Sequence, residues 1–396
     1  MGSIVSPTTA QLDDLVTSYT QSQPGLAFAI GWLSPQIDAA GPYRHGGLYF
    51  SGQVMNQYGA TLPLGPDTRF ELASLSKTFT ATLYAALLPG YVARTGITDP
   101  VLSDLYDGMA LPTLRPDIGA IPLRALVSYV SGLRQDNGTA VAPPHLQGCG
   151  MSLANLCGFL DMDVAFAPHG TGKRYTYSNL AFALAGEAMG QMAGVPGDSY
   201  RQVLYRFVTV PLGMLDTTTF DHTLLSQLPI GFGTTATGGF FRVAPGWPML
   251  PSYNGAGGVV STPRDLMRWL NFNMGMSANP TLSALLARTQ TPATPVNDGE
   301  GDGLGLGWFL GDDGVVWKDG EIQGCNTYLA LLASGQPGVV PSEAGVVVAT
   351  NVSGLSADNQ EVVQEVALRV LAIMQGQDQA AMRRPRRRGY LPQVAG

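Results

Sequence analysis

The hydrophobic positions fall into strand-like runs near both ends of the chain and helix-like runs between them. Alternating or continuous apolar residues typical of buried strands occupy 26–32, 47–51, 315–318, 328–332 and 345–350. Residues 361–374 have apolar positions at helical spacing and predict a closing helix. The middle of the chain shows mostly helical periodicity, which Gly and Pro interrupt. The pattern fits a fold that contains both strands and helices.

Length and composition exclude several classes of protein. A chain of 396 residues with 45% hydrophobic and 13% charged residues can bury a large core and cannot be mainly disordered. We expect one large two-lobed domain or two closely packed domains. The net charge of -7 provides no positive field for nucleic acid, and the one basic run, 383–388, lies in an expected flexible tail at 381–396. No stretch approaches the ~18 apolar residues of a membrane span.

The three cysteines do not indicate a bound metal. The spacing of Cys149, Cys157 and Cys325 does not match a zinc site, and no metal or other cofactor is expected. A disulfide between Cys149 and Cys157 stays open.

The N-terminal residues lack the regions of a signal peptide, which predicts a cytoplasmic chain as written. A periplasmic or secreted location stays open if Met-Gly-Ser replaces a leader. Asn351-Val352-Ser353 has the form of an N-glycosylation acceptor.

Lysine is rare in this chain, and one lysine stands in a suggestive position. Of 22 basic residues only Lys77, Lys173 and Lys318 are lysines, which unlike arginine can lose a proton when buried. Lys77 follows Ser74 by three positions, so both lie on one face of the buried helix predicted from 78–88. Near a positive helix end, Ser74 would be a nucleophile and Lys77 its proton acceptor. Alternatively, Ser74 caps the helix and Lys77 is solvated.

A second constellation places a phenol near an amide. Tyr177 precedes Asn179 by two residues, in an expected loop before a helix predicted at 180–189. A phenol with cations nearby can shuttle protons, and an amide two residues later can orient an acyl carbonyl. Alternatively, Tyr177 packs its ring while Ser178 or Asn179 caps the helix.

The third constellation is Lys318-Asp319-Gly320-Glu321. The surrounding residues predict two strands joined within 320–326. Gly320 would let a substrate approach the strand edge, and the backbone N–H of Glu321 would form an oxyanion hole with that of Ser74. Alternatively, these residues are the exposed charged tip of a hairpin.

In this order the three constellations resemble the Ser-x-x-Lys, Tyr-x-Asn and Lys-x-Gly signatures of penicillin-recognising serine hydrolases, specifically class C β-lactamases and their esterase, D-amino peptidase and acyltransferase relatives. The resemblance covers roughly 12–374. No Gly-x-Ser-x-Gly motif competes, and no histidine stands in a recognisable triad setting. The similar segments outside the signatures are PGLAFAIGW, TRFELASLSKTFTA, IPLRALVSYVSGLR, VPLGMLDTTTF, GAGGVVSTPRDLMRWL and GLGLGW.

The resemblance implies an α/β (α+β) fold of the β-lactamase/transpeptidase type. An antiparallel sheet flanked by helices would be formed by 1–75 and 260–380, and a mainly helical lobe, 76–259, would be inserted between them. Ser74 would lie at the floor of the cleft between the lobes. The aromatic-rich segment 223–258 is expected either as a long loop bordering that cleft or as a loop that packs its own aromatic residues.

The resemblance also implies the chemistry. Ser74 would attack an ester, amide or lactam, while Lys77 and Tyr177 share the proton transfers and Asn179 and Lys318 orient the acyl group. The chain departs from the Lys-Thr-Gly or Lys-Ser-Gly of many relatives, because it has Lys318-Asp319-Gly320-Glu321. These carboxylates disfavour substrates that carry a carboxylate, unless Asp319 points away from the site.

The favoured function is therefore an esterase-like or acyl-transferring enzyme of small-molecule, natural-product metabolism, with an acyl donor and an amine or alcohol acceptor as its partners. The alternatives are a β-lactamase, a D-amino peptidase or DD-carboxypeptidase, and a non-catalytic binding protein. Oligomeric state is not indicated.

Overall fold

The computed structural model describes most of the chain, including all seven predicted site residues. The described ranges are 3–38, 45–106, 114–135, 160, 170–235, 239–246, 251–277, 279–299, 301–333, 342–353 and 362–377. Cys149, Cys157 and the predicted tail at 381–396 lie outside them, so their interpretations stay predictions.

The helices lie mainly in the middle of the chain. The α-helices are α1 (Thr9–Ser22), α2 (Ser76–Thr95), α3 (Leu102–Tyr106), α4 (Pro116–Gly119), α5 (Leu123–Val127), α6 (Asn179–Ala193), α7 (Tyr200–Leu204), α8 (Asn254–Gly257), α9 (Pro263–Asn273), α10 (Pro280–Thr289) and α11 (Val362–Met374). Short 3-10 helices cover Ala73–Leu75, His222–Leu224 and Pro251–Tyr253, and a π-helical turn covers Tyr205–Thr209. The predicted helices at 78–88, 180–189 and 361–374 are confirmed as α2, α6 and α11.

The strands concentrate towards the two ends of the chain. They are β1 (Ala27–Leu33), β2 (Gly46–Gly52), β3 (Val54–Met55), β4 (Thr61–Leu62), β5 (Phe70–Glu71), β6 (Thr218–Thr219), β7 (Gly231–Thr234), β8 (Phe240–Val243), β9 (Val259–Ser261), β10 (Gly303–Leu304), β11 (Phe309–Leu310), β12 (Val315–Ile322), β13 (Cys325–Leu332), β14 (Ala344–Thr350) and β15 (Val352–Ser353). The five predicted strands correspond to β1, β2, β12, β13 and β14.

Within the described residues, seven strands form one antiparallel sheet in the order β10-β11-β12-β13-β14-β1-β2. All residues of β1 and β14 are buried, so both faces of the sheet centre are covered. Gly31 faces Met267 of α9, whereas the ring of Phe28 packs against Tyr19 of α1. Because residues 28 and 31 of a strand point to opposite faces, α1 and α9 lie on opposite sides of the sheet. The predicted antiparallel sheet flanked by helices is confirmed.

The connection between the two longest strands corrects one prediction. β12 continues to Ile322 and β13 begins at Cys325, so the turn consists of Gln323 and Gly324, and Gly324 has a φ of 84°. Gly320 lies inside the strand and not in the turn. A two-residue turn with a glycine at positive φ is a common hairpin connection.

The segment expected as a long loop at 223–258 is also more regular than predicted. Its described residues include β7, β8, the 3-10 turn Pro251–Tyr253 and α8, and β7 pairs in parallel with β15. Phe232 and Tyr253 are buried, whereas Phe241 is exposed. The lobe boundaries at 75/76 and 259/260 stay a prediction. Among the helices described, none is both long and apolar enough to cross a bilayer.

Candidate active site

Ser74 occupies a strained turn that leads into α2. The preceding residue, Ala73, has a φ of 47°, a left-handed conformation that costs a non-glycine residue about 1–2 kcal/mol. Every residue from 71 to 85 is buried except Ser74, which is partly exposed. The turn thus presents one hydroxyl group to the surface from an otherwise buried segment.

Lys77 is fully buried beneath this hydroxyl. Its Nζ donates hydrogen bonds to Ser74 Oγ at 2.9 Å, to Asn179 Oδ1 at 2.6 Å and to the carbonyl oxygen of Ala256 at 2.7 Å. A buried ammonium needs such acceptors, because desolvation otherwise makes it very costly. The alternative of a solvated Lys77 is wrong, since the side chain has 0% exposure.

Tyr177 contacts Ser74 from the segment that precedes α6. Its hydroxyl donates to Ser74 Oγ at 2.6 Å. Its ring stacks on Tyr129 with a centroid distance of 5.7 Å. The Nζ atoms of Lys77 and Lys318 lie 4.9 and 5.5 Å from the ring centroid, so two cationic groups surround the phenol.

The two neighbours of Tyr177 along the chain fulfil different roles. Ser178 is the N-cap of α6, because its Oγ accepts a hydrogen bond from Ala181 N at 3.0 Å. Asn179 is the first residue of that helix and turns its amide oxygen to Lys77. Ser178 thus caps the helix, as one interpretation of this motif predicted, whereas the catalytic role of Tyr177 and the substrate-binding role of Asn179 stay predictions.

β12 packs directly against the turn that carries Ser74. A Cβ atom at Gly320 would lie 2.2 Å from Leu72 O and 2.7 Å from Leu75 N, so only glycine fits between the strand and the turn. Thr327 of β13 donates to Leu72 O at 2.9 Å and holds the same segment. Lys318 lies two residues from Gly320 and so shares its face of the strand.

The charged residues around Gly320 are not an exposed hairpin tip. Lys318 is fully buried, and its Nζ donates to the Asp319 carboxylate at 2.6 Å and to the Asp319 carbonyl at 2.7 Å. Glu321 is half-buried. The pairing of the Ser74 and Glu321 backbone N–H groups in an oxyanion hole stays a prediction.

Two contributors to the site were missed by the sequence analysis. The carbonyl of Ala256 holds Lys77, and Tyr129, with a φ of 63°, supports the ring of Tyr177 while donating to Gly307 O at 2.9 Å. Both residues lie in segments that resemble the family, GAGGVV and SYVSG. A backbone carbonyl has no side-chain identity that a sequence pattern would show.

The one described cysteine offers no competing nucleophile. Cys325 is buried, and its Sγ donates to Glu71 O at 2.8 Å. Burial, assisted by the negative charge of Glu71, raises the pKa of this thiol well above its usual value, so it stays protonated. Within the described ranges no group of three or more His, Cys, Asp or Glu side chains is arranged to hold a metal ion.

Sequence comparison finds a family model and individual relatives that match most of this chain. The family model described as Beta-lactamase matches residues 12–370. The D-alanyl-D-alanine-carboxypeptidase/endopeptidase AmpH of Escherichia coli is 28% identical over 302 residues, which cover 71% of this chain and 73% of AmpH.

Two solved structures show the same fold. The octameric penicillin-binding protein homologue from Pyrococcus abyssi superposes with a TM-score of 0.71 at 16% identity, over 95% of this chain and 79% of that one. A class C β-lactamase from Rhodobacter sphaeroides gives a TM-score of 0.62 at 20% identity, over 92% and 98%. At these identities the likeness establishes the fold alone, and the predicted β-lactamase/transpeptidase-like fold is confirmed.

Proposed function

Because the chain belongs to the Beta-lactamase family, whose members are serine hydrolases, we propose that it cleaves an ester or amide through an acyl-enzyme formed on Ser74. The observation that carries this proposal is the pair of hydrogen bonds on Ser74 Oγ, from Tyr177 at 2.6 Å and from Lys77 at 2.9 Å. A nucleophile within hydrogen-bond reach of its base is the arrangement that acyl transfer requires.

Tyr177 is the better candidate for the base. An ammonium has three N–H bonds, and Lys77 Nζ has three oxygen acceptors, which suits the charged form of Lys77. Positive charge beside a phenol favours its phenolate. In this assignment Tyr177 takes the proton of Ser74 as Oγ bonds to the substrate carbonyl carbon, and Lys77 supplies the field.

The proton then returns to the leaving group. Tyr177 donates it as the carbon bond to the leaving alcohol or amine breaks, which leaves an ester on Ser74. A water molecule, or an acceptor alcohol or amine, gives its proton to Tyr177 and attacks this ester. The bond between the acyl carbon and Ser74 Oγ then breaks, and Tyr177 returns the proton to Ser74. Hydrolysis and acyl transfer differ only in which nucleophile reaches the acyl-enzyme.

The remaining predicted residues bind the acyl group. Gly320 keeps side-chain atoms away from Ser74, and the backbone N–H groups of Ser74 and Glu321 would stabilise the oxyanion. Asn179 and Lys318 border Tyr177 and Lys77, where they orient the acyl carbonyl.

We favour an esterase-like or acyl-transferring enzyme of small-molecule metabolism. The carboxylates of Asp319 and Glu321 flank Gly320 and repel substrates that carry a carboxylate. A carboxypeptidase or β-lactamase is the second candidate, and the observation in its favour is the 28% identity to AmpH.

The test of the acyl-enzyme is covalent labelling with a fluorophosphonate. The wild-type protein should gain one adduct, located on Ser74 by peptide mass spectrometry, and Ser74→Ala should gain none. Ser76→Ala is the matched control: Ser76 lies two residues further along, is buried and accepts a hydrogen bond from Val259 N. It should still be labelled. Undiminished labelling of a folded Ser74→Ala protein would remove Ser74 from this role.

Side-by-side assays separate the two candidate substrate classes. Short-chain para-nitrophenyl esters should be cleaved faster than the chromogenic β-lactam nitrocefin, and Ser74→Ala should lose both activities. Rapid nitrocefin turnover with negligible ester cleavage would favour the β-lactamase candidate instead.

A further inference from the structure

The ion pair between Lys318 and Asp319 lies at the border of the proposed active site. Lys318 Nζ is 5.5 Å from the centre of the Tyr177 ring, and the hydroxyl of that ring donates to Ser74 Oγ. The Lys318 side chain is fully buried, whereas the Asp319 side chain keeps 16% exposure. A buried ammonium requires compensation, and Asp319 supplies it through its carboxylate and its carbonyl, at 2.6 and 2.7 Å.

The pair closes around one edge of β12. Successive side chains of a strand point to opposite faces, so Lys318 and Asp319 meet only where both bend around an edge. β13 pairs with β12 along its whole length, up to Ile322. On the other edge, β11 pairs with Val316 and Trp317. Beyond Trp317, that edge has no strand partner in the described chain, and this is the edge around which the two side chains can meet.

This arrangement determines what charge the site offers to a substrate. The pair carries no net charge, so Lys318 does not present an uncompensated cation. A substrate carboxylate that approached Lys318 would be repelled by Asp319 and would have to displace short hydrogen bonds. An uncharged acyl group meets neither penalty.

We propose that Asp319 is a specificity-determining residue, which neutralises Lys318 and thereby selects acyl donors without a carboxylate. The proposal rests on the acyl-enzyme function proposed for Ser74 and names the charge class of its substrate. It also assigns that selection to one side chain, whose removal should change the preference without removing the reaction.

The test compares two esters of equal acyl chain length, para-nitrophenyl pentanoate and mono-para-nitrophenyl glutarate, which differ by the terminal carboxylate. At low ionic strength the wild-type kcat/KM should favour the pentanoate at least about ten-fold. Asp319→Asn keeps the size and the backbone carbonyl but removes the charge. It should shift the ratio of the two kcat/KM values at least about ten-fold towards the glutarate, with pentanoate cleavage changed only a few-fold.

Two further variants control for charge and folding. Asp312→Asn makes the same charge change at an exposed position in the turn before β12, and its ratio should equal that of the wild type. Asp319→Glu keeps the charge and should keep the preference for pentanoate. If Asp319→Asn does not fold, Asp319→Ser takes its place, since it also removes the charge and keeps a polar group beside Lys318; it should shift the ratio in the same direction, and an unchanged ratio would overturn the role of Asp319.

The outcomes separate this proposal from the proposed function. A wild-type ratio near one, or an Asp319→Asn protein that loses both activities equally, overturns the role of Asp319 while labelling of Ser74 still supports the acyl-enzyme. Failure of the wild-type protein to cleave either ester, with no label on Ser74, overturns both proposals together.

Discussion

The hydroxyl of Tyr177 contacts Ser74, whereas the ring of Tyr177 belongs to the packing of the protein. The ring stacks on Tyr129 at 5.7 Å, and only the hydroxyl reaches Ser74 Oγ. Removal of that oxygen atom should therefore affect the chemistry far more than the stability. Substitution of Tyr177 therefore tests the mechanism with little effect on folding. Substitution of Lys77 would also affect folding, because two buried oxygen acceptors would lose the Lys77 ammonium as their donor.

Tyr177→Phe should lower kcat/KM for a nitrophenyl ester by about 10²–10⁴-fold, because proton transfer to and from Ser74 loses its carrier. The free energy of unfolding should change by less than about 1 kcal/mol, because the ring keeps its packing. Steady-state kinetics and urea denaturation measure the two effects. Tyr175→Phe is the matched control, since Tyr175 packs in the same aromatic cluster two residues away, and it should keep activity within a few-fold. An active Tyr177→Phe protein would contradict the assignment of Tyr177 as the base.

The sequence predicted those parts of the site that depend on side-chain type. Ser74, Lys77, Tyr177 and Asn179 were identified by spacing and by resemblance, and the structure brings all four together. The ion pair of Lys318 with Asp319 could not be predicted, because neighbours on a strand normally point to opposite faces.

At the scale of the element, glycine has two physical roles that look alike in sequence. Gly324 permits the turn between β12 and β13 through its φ of 84°, whereas Gly320 permits close approach of two backbone segments. The hydrophobic pattern predicts a turn that begins near Gly320, whereas β12 continues to Ile322. Only the position of the partner segment, Leu72 to Leu75, distinguishes the two roles, and that contact joins residues almost 250 positions apart in the chain.

Gly320→Ala should therefore disturb the site through the backbone. The new methyl group would lie 2.2 Å from Leu72 O, so β12 and the Ser74 turn must move apart. We expect kcat/KM to fall by about 100-fold from misplacement of the reacting groups, and stability to fall by about 1–3 kcal/mol. Ester kinetics and thermal denaturation measure these effects.

Gly303→Ala is the matched control for this change. Gly303 lies in β10 of the same sheet, and its added Cβ would come no closer than 3.5 Å to any atom of Leu310. Activity and stability should stay near wild-type values. A similar loss in both variants would show that the effect comes from changing a sheet glycine and not from the contact with the Ser74 turn.

At the scale of the whole molecule, the sheet depends on strands that are remote in sequence. β1 lies between β2 and β14, and β14 begins more than 300 residues after β1. Local hydrophobic patterns located the ends of β1, β2 and β14 to within one residue. They contain no information on strand order, because pairing depends on which buried surfaces meet. Neither the composition nor the hydrophobic periodicity of the chain predicts the order of the strands in the sheet.

Asn351 shows how such remote segments are held together. Its Oδ1 accepts from Ala27 N at 2.8 Å, and its Nδ2 donates to Gly25 O at 2.8 Å and to Ile230 O at 2.9 Å. One amide thus joins the start of β1, the end of β14 and the segment before β7. With 2% exposure and a fully engaged Nδ2, it cannot carry a glycan in the folded protein, although its sequence has the acceptor form.

Asn351→Ala should consequently lower the free energy of unfolding by about 2–4 kcal/mol, because three hydrogen bonds are lost and their buried backbone partners stay unsatisfied. Urea denaturation followed by tryptophan fluorescence measures this loss. Asn271→Ala, at a half-buried position of α9, is the control and should change stability by less than about 0.5 kcal/mol. Equal stability of the two variants would show that the amide does not connect the three segments energetically. A loss of stability in Asn351→Ala alone would mean that this one side chain stabilises the contacts among the start of β1, the end of β14 and the segment before β7.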